Sequence, residues 1–222
     1  MKIPSSEPVP GWLWCGALAG VVLVVLVVAV GAIVLARGVA DPPVAGPVVW
    51  ADVALAWAGG PQRETRAGAG EWFTAPPPAR VPGDAFTLAV RARLAAGSDP
   101  GAAWGVWLDT DDGARMVYAI SGDGYVTTRR CPVPAPRDIS ACPAAQPEWR
   151  WMPYPRVAPP GEPNTIALHR EPSGAIRLRL NGEKLGAAPV GLAGDWGVWV
   201  LGGRAGPAIL TWESAELRAR RN

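Results

Sequence analysis

Residues 12–36 read WLWCGALAGVVLVVLVVAVGAIVLA and contain no charged side chain. No other stretch restricts the fold as tightly, because an uncharged apolar run of this length is read as one helix. Such a helix extends over roughly 37 Å, more than the roughly 30 Å hydrocarbon core of a bilayer. Trp12 and Trp14 stand at one end and Arg37 closes the other, an arrangement that membrane interfaces favour. Gly38-Val39-Ala40 resembles a signal-peptidase site, but the run is far longer than the apolar region of a cleaved signal. The expectation is an uncleaved single-pass transmembrane α-helix over 12–36, behind a short tail at 1–11. Gly16 and Gly20 form a small-xxx-small pair suited to helix packing, a pattern that also arises by chance in Ala/Gly-rich spans.

Charge places the rest only weakly. The net charge is +2, and of the 21 basic residues only Lys2 and Lys184 are lysines, a bias that reflects GC-rich coding more than chemistry. No basic stripe interleaved with aromatics is present, so nucleic acid is not an expected partner. Lys2 before the span and Arg37 after it leave its orientation open by charge. Cysteine is more informative. Cys131 and Cys142 bracket CPVPAPRDISAC, a Pro-rich loop without apolar periodicity. A disulfide there restricts the unfolded chain and persists only in an oxidising compartment; two free thiols are the alternative. The only histidine is His169 and there is no second Cys pair, so a metal site is not expected, and no cofactor motif is present. The bulk of the chain is therefore expected outside the cytoplasm, at the cell membrane.

After a Pro/Gly-rich linker at 37–47, helix signals stop and strand signals begin. In AFTLAVRARL, Phe86, Leu88, Val90, Ala92 and Leu94 share one face while Thr87, Arg91 and Arg93 share the other. RMVYAI and YVTTRR flank the turn Ser121-Gly122-Asp123-Gly124. NTIALHRE and AIRLRL flank Pro172-Ser173-Gly174, and Asn181-Gly182 turns into EKLG. Many short strands separated by Gly and Pro predict an antiparallel two-sheet sandwich over 48–222.

YAISGDGYVTTRR, RWMPYPRVAPPGEPNTIALHRE, GAIRLRLNGEKLG, GDWGVWVLGG and ILTWESAELR follow one another in this order. This succession resembles the concanavalin A-like jelly roll, specifically bacterial laminin-G-like and 3-keto-disaccharide-hydrolase-like domains. The resemblance covers 48–219 in outline and 104 onward in detail. It implies an all-β jelly-roll sandwich and leaves function open, because one sandwich carries lectins, hydrolases and adhesion modules.

The tetrapeptide WGVW occurs at 104–107 and again at 196–199. Strand alternation groups Trp104 with Val106 and Leu108, and Trp196 with Val198 and Val200, as core positions. It groups Trp107 with Gly105 and Asp109, and Trp199 with Gly197 and Leu201, on the opposite face. Two readings of that second face follow. Trp107 and Trp199, rimmed by Trp149, Trp151 and Tyr154 of EWRWMPYP, form an aromatic platform that stacks on sugar rings; or that loop folds over the sheet and buries them.

Catalysis has little support. The Glu-x-Asp-x-x-Glu pattern of glycosidases on this fold is absent, and alternation sends Glu213 and Glu216 to opposite faces. Asp109, Asp111 and Asp112 in DTDDG read as turn residues rather than calcium ligands. The expected function is non-catalytic recognition of a glycan or other cell-envelope ligand. The alternative is an accessory subunit of a membrane complex, with Gly16 and Gly20 as its packing face.

Overall fold

The computed structural model describes residues 11–36, 46–53, 55–133, 139–144 and 151–219. The expected tail, most of the linker and Trp149 lie outside them. The chain divides into two units, Met1–Asp41 and Pro42–Asn222. The first contains helix α1, Gly11–Ala36. Its described side chains, at 18–33, include exposed Leu18, Val21, Leu23, Leu26 and Ile33. Among the described residues no helix is long and apolar enough to cross a membrane. Gly16 lies in the part of α1 without described side chains, and nothing stands within 4 Å of where a Gly20 side chain would begin.

The second unit is built of strands β1 (Val48–Asp52), β2 (Glu64–Ala67), β3 (Trp72–Ala75), β4 (Phe86–Leu94), β5 (Ala103–Asp109), β6 (Ala114–Ser121) and β7 (Tyr125–Pro132). These continue as β8 (Met152–Pro153), β9 (Pro163–Arg170), β10 (Ala175–Leu180), β11 (Glu183–Pro189), β12 (Trp196–Leu201) and β13 (Ala208–Ala219). One sheet has seven strands in the order β1-β13-β4-β9-β10-β11, with β2 also paired to β13; the other has six, β3-β12-β5-β6-β7-β8. All pairings are antiparallel, and the architecture is the expected sandwich. The turns carry the residues their geometry demands. Asn181 and Gly182 both have positive φ, 51° and 84°, as a two-residue hairpin turn requires, and Gly124 and Gly174 close their turns with φ of 91° and 85°.

Between the sheets, Phe86, Leu88 and Val90 of β4 meet Trp104, Val106 and Leu108 of β5 and Trp196, Val198 and Val200 of β12. The inward indoles meet others edge to face: Trp104 with Trp212 at 6.0 Å, and Trp196 with Trp50 at 5.7 Å and Trp57 at 5.8 Å. Thr65 links this core to its rim, accepting from Trp212 Nε1 at 2.8 Å while donating to the Ala58 carbonyl at 2.8 Å.

The two WGVW strands are antiparallel neighbours. Their register sets Trp107 opposite Gly197 and Trp199 opposite Gly105. Each outward indole therefore faces the glycine of the other copy. A side chain at Gly197 would begin 2.4 Å from the Ala75 carbonyl oxygen and 2.4 Å from Cζ2 of the Trp107 ring. At Gly105 it would begin 2.2 Å from the Tyr118 carbonyl oxygen.

A second, smaller core lies on the outward face of the six-stranded sheet. Trp107, Trp199, Ala103, Val117 and Ala119 pack there against Cys131, Ile139 and Cys142, with Trp72, Trp151 and Leu201 at the margin. The Cys131–Cys142 disulfide is formed, with Cα atoms 5.0 Å apart. It turns the chain back over the sheet. Arg129 Nη1 donates to the Cys142 carbonyl at 3.1 Å, Arg130 N to the Pro143 carbonyl at 2.9 Å, and Arg129 bridges Ala144. Ile139 is fully buried beneath this return.

Two outcomes follow for urea unfolding monitored by tryptophan fluorescence. Gly197→Ala forces the Trp107 ring or β3 to move and should cost about 1–3 kcal/mol, whereas Gly83→Ala, with nothing within 4 Å, should leave the midpoint in place. Equal midpoints for the two variants would refute the glycine–indole register. Removing the disulfide through Cys142→Ser should cost about 2–3 kcal/mol and increase quenching by acrylamide as the small core loosens. An unchanged midpoint together with unchanged quenching would contradict the clamp.

Candidate functional site

The outward face of β5 and β12 is covered. Trp107 is 4% exposed and Trp199 1%, so of the two readings the open platform on these rings is corrected and the covered one holds, with Ile139 and the Cys131–Cys142 disulfide packed against them. Trp107 is also internally satisfied. Its Nε1 donates to Thr74 Oγ1 at 2.9 Å and the Val198 carbonyl at 3.1 Å, and the Arg115 guanidinium stacks 3.6 Å from the ring centroid. Asp109 holds that guanidinium by two bonds, of 2.6 and 2.9 Å. Tyr154 also leaves the expected rim. It packs against the main core and its hydroxyl donates to Glu183 Oε2 at 2.8 Å. Trp151 alone of the described rim residues stays at the margin of the aromatic face, its Nε1 donating to Ser140 Oγ at 3.0 Å.

A cleft of about 650 Å³ opens at one end of the same sheet. It lies where β5 begins, β6 passes into β7, and β12 leaves the sheet. Asp99, Asp123, Arg204, Tyr125, Trp151 and Ser140 line it, with Gly70, Gly101, Gly202 and Gly203 forming part of its walls. Asp99 organises this end of the sandwich. Its Oδ1 accepts from Gly101 N at 2.8 Å and its Oδ2 from Ala205 N at 3.0 Å, so one carboxylate ties the loop after β4 to the loop after β12. The approach is close enough that a side chain at Gly203 would begin 2.1 Å from Asp99 Cγ. At Gly202 it would begin 1.8 Å from the Gly68 carbonyl oxygen. Only glycine permits both contacts. Across the hairpin, Ser121 Oγ donates to Asp123 Oδ1, and Tyr125 is exposed.

Asp99, Asp123, Tyr125 and Arg204 were not singled out in the sequence. The signal that points to two of them, Asp99 and Arg204, is Asp99-Pro100-Gly101 and Gly202-Gly203-Arg204 at strand ends, where glycines mark close backbone approach. Ser140 of the disulfide-closed loop and Trp151 of the expected rim meet at this same cleft.

Several carboxylates elsewhere are engaged by arginines. A β-bulge between Trp212 and Ser214 resets the alternation of β13, so that Ala208, Leu210 and Trp212 and then Ala215, Leu217 and Ala219 are buried. Glu213 and Glu216 therefore share the outward face, correcting the expectation of opposite faces. Partial burial raises the Glu213 pKa, but hydrogen bonds from Arg93 and Arg91 outweigh it and hold the carboxyl below its usual value. Glu216 pairs with Arg218. His169, on the same sheet, lies 3.3 Å from Thr87 Oγ1; burial, and then the charge of Arg179, hold its imidazole pKa below the usual value. Among the described residues no group of three metal-ligating side chains is assembled.

No protein-family model matches the chain, and no curated protein matches its sequence. Solved structures do match. The metal-free carbohydrate recognition domain of Emp46p aligns with a TM-score of 0.53 at 11% identity, over 72% of this chain and 89% of that one. The apo Crh5 transglycosylase aligns with a TM-score of 0.53 at 14% identity, over 82% of this chain and 88% of that one. At such identities the likeness is one of fold: the two-sheet sandwich is shared with these domains.

Proposed function

We propose that this chain is a membrane-anchored recognition protein whose β-sandwich binds a glycan or other cell-envelope saccharide in the end cleft, without chemistry on it. The carrying observation is the composition of the cleft. Trp151 and Tyr125 offer flat faces for sugar rings. Asp99, held by two backbone N–H groups, is a preset acceptor for hydroxyl protons. A few fixed polar groups among aromatic surface is the make-up of a small-ligand site. That the Emp46p domain sharing this fold is a carbohydrate recognition domain supports the reading.

The Crh5 relative in fold is a transglycosylase, so the same sandwich also carries catalysis. The non-catalytic reading rests on how the carboxylates are used. Glycan cleavage needs one carboxyl that keeps its proton near neutral pH and a second ionised beside it. Glu213 is held by Arg91 and Arg93, Asp109 by Arg115, and in the cleft Asp99 accepts from two backbone N–H groups and Asp123 from Ser121. The outward positions of β5 and β12 carry Gly105, Trp107, Gly197 and Trp199, all covered. The anchor rests on the uncharged run at 12–36 and on the exposed valines and leucines of α1. The formed disulfide supports an oxidising compartment outside the cytoplasm.

Binding is tested on a glycan array and by fluorescence titration of the positives. Trp151→Ala should weaken a bound oligosaccharide about tenfold, near 1.4 kcal/mol, whereas Trp107→Ala should chiefly lower stability, by about 3–5 kcal/mol. Silence across the array at millimolar saccharide would overturn the glycan reading. For the anchor, the full chain should stay in the membrane pellet after alkaline carbonate washing, and a chain lacking residues 11–36 should not. Release of the full chain into the wash would overturn it.

A further inference from the structure

Arg204 is the one guanidinium among the residues that line the cleft. Many guanidinium groups elsewhere end on carboxylates, as Arg80 on Asp195, Arg91 and Arg93 on Glu213, Arg115 on Asp109, Arg130 on Asp112 and Arg177 on Glu171, while Arg129 ends on the Cys142 carbonyl and Arg179 on the Gly182 carbonyl. Arg204 is exposed, lines the cleft, and has no carboxylate partner among the described residues. The reason is local. Its neighbours Gly203 and Ala205 both touch Asp99, and the two oxygens of that acid are taken up by the backbone of Gly101 and Ala205. The loop is thereby pinned with the acid turned to the main chain and the guanidinium directed at solvent beside it.

Building on the glycan reading, we infer that the cleft selects an acidic saccharide, a uronic-acid type of sugar whose carboxylate meets Arg204 while its hydroxyl groups meet Asp99 and Asp123. A guanidinium fork matches a carboxylate bidentately, which a neutral hydroxymethyl group does not. The same cleft disfavours a densely charged ligand such as a sulfated or phosphorylated polymer, because it sets two carboxylates against one guanidinium. The preferred ligand is one that brings a single negative charge and neighbouring hydroxyls on one ring.

The test uses the full chain in detergent and hexasaccharides of galacturonate, glucuronate and mannuronate, each beside its carboxyl-reduced, neutral counterpart. At low salt at least one acidic hexamer should bind about tenfold tighter than its neutral counterpart, and the difference should shrink as salt shortens the screening length. Arg204→Gln should abolish the difference, and Arg204→Lys, which keeps the charge but loses the fork, should restore only part of it. Near-UV circular dichroism confirms that the variants fold. Equal binding of acidic and neutral hexamers, or a difference that survives Arg204→Gln, overturns the acid preference and leaves the glycan reading standing. An acid preference that persists in Trp151→Ala at undiminished affinity places the recognition elsewhere and also overturns it. Binding of no hexamer, acidic or neutral, overturns both.

Discussion

The register that sets each outward indole opposite the glycine of the neighbouring WGVW strand governs the pairing of β5 with β12. A Trp outward on β5 and another outward on β12 would collide with ordinary side chains at their cross-strand partners, since directly opposed residues stand only about 4.5–5.5 Å apart. Glycine at 197 removes that obstacle for the Trp107 ring, and glycine at 105, opposite Trp199, also admits the close approach of the β6 backbone at Tyr118 and Ala119. The same register turns Trp104 and Trp196 into the main core, where they meet Trp212, Trp50 and Trp57 edge to face. A slip of one residue would exchange the two faces and place glycine in the core. One tetrapeptide used twice thus sets the register of its strand pair and supplies large rings to both sides of the sheet.

Flat indoles on the outward face create a demand of their own, because a contiguous apolar patch in water requires a cover. The disulfide-bonded return after β7 meets it from within the chain. Ile139 and the cystine fill the surface over Trp107 and Trp199, and Arg129 ties the return down by a bond to the Cys142 carbonyl. This consumes the middle of the sheet as a binding surface. The open surface moves to the end, where loops from four strands converge and Asp99 and the Gly202-Gly203 pair hold them in register. Recognition on loops held by a rigid sheet is the usual division of labour in sandwiches, and here the clamp enforces it.

Much of this was legible in the chain. Alternation in 86–94 and the hairpin turns at 121–124, 172–174 and 181–182 are local properties, and the structure has strands and turns where they predict them. The disulfide was legible from its Pro-rich loop. What was not legible depends on pairing across the sheets. Nothing local states that the two WGVW strands are neighbours, so the placing of Gly105 and Gly197 opposite the outward rings was out of reach. Nor does alternation announce the bulge beside Trp212, which brought Glu213 and Glu216 to one face and gave Arg91 and Arg93 a common partner. Asp99 reads as an ordinary turn residue until its carboxylate is seen bridging two loops more than one hundred positions apart in sequence.

The placement of charge follows from the same packing. Strands β4, β10 and β13 carry arginine and glutamate on the outward face of the seven-stranded sheet, and pairs such as Arg177 with Glu171 and Arg91 with Glu213 form across or along them. Pairs that keep contact with water add little to stability; on this face arginine outnumbers its partners, Arg91 and Arg93 sharing the one carboxylate of Glu213. On the six-stranded face the small core and the stacked Arg115 exclude water from the centre. A loop is different: its backbone N–H groups are not committed to a ladder and are free to take the oxygens of an acid, as Gly101 and Ala205 do with Asp99. Where the backbone satisfies the acid, the nearest base is released. Arg204 stands at such a point, and an unpaired guanidinium beside aromatic faces and fixed carboxylates follows from loops closed by main-chain donors rather than by salt bridges.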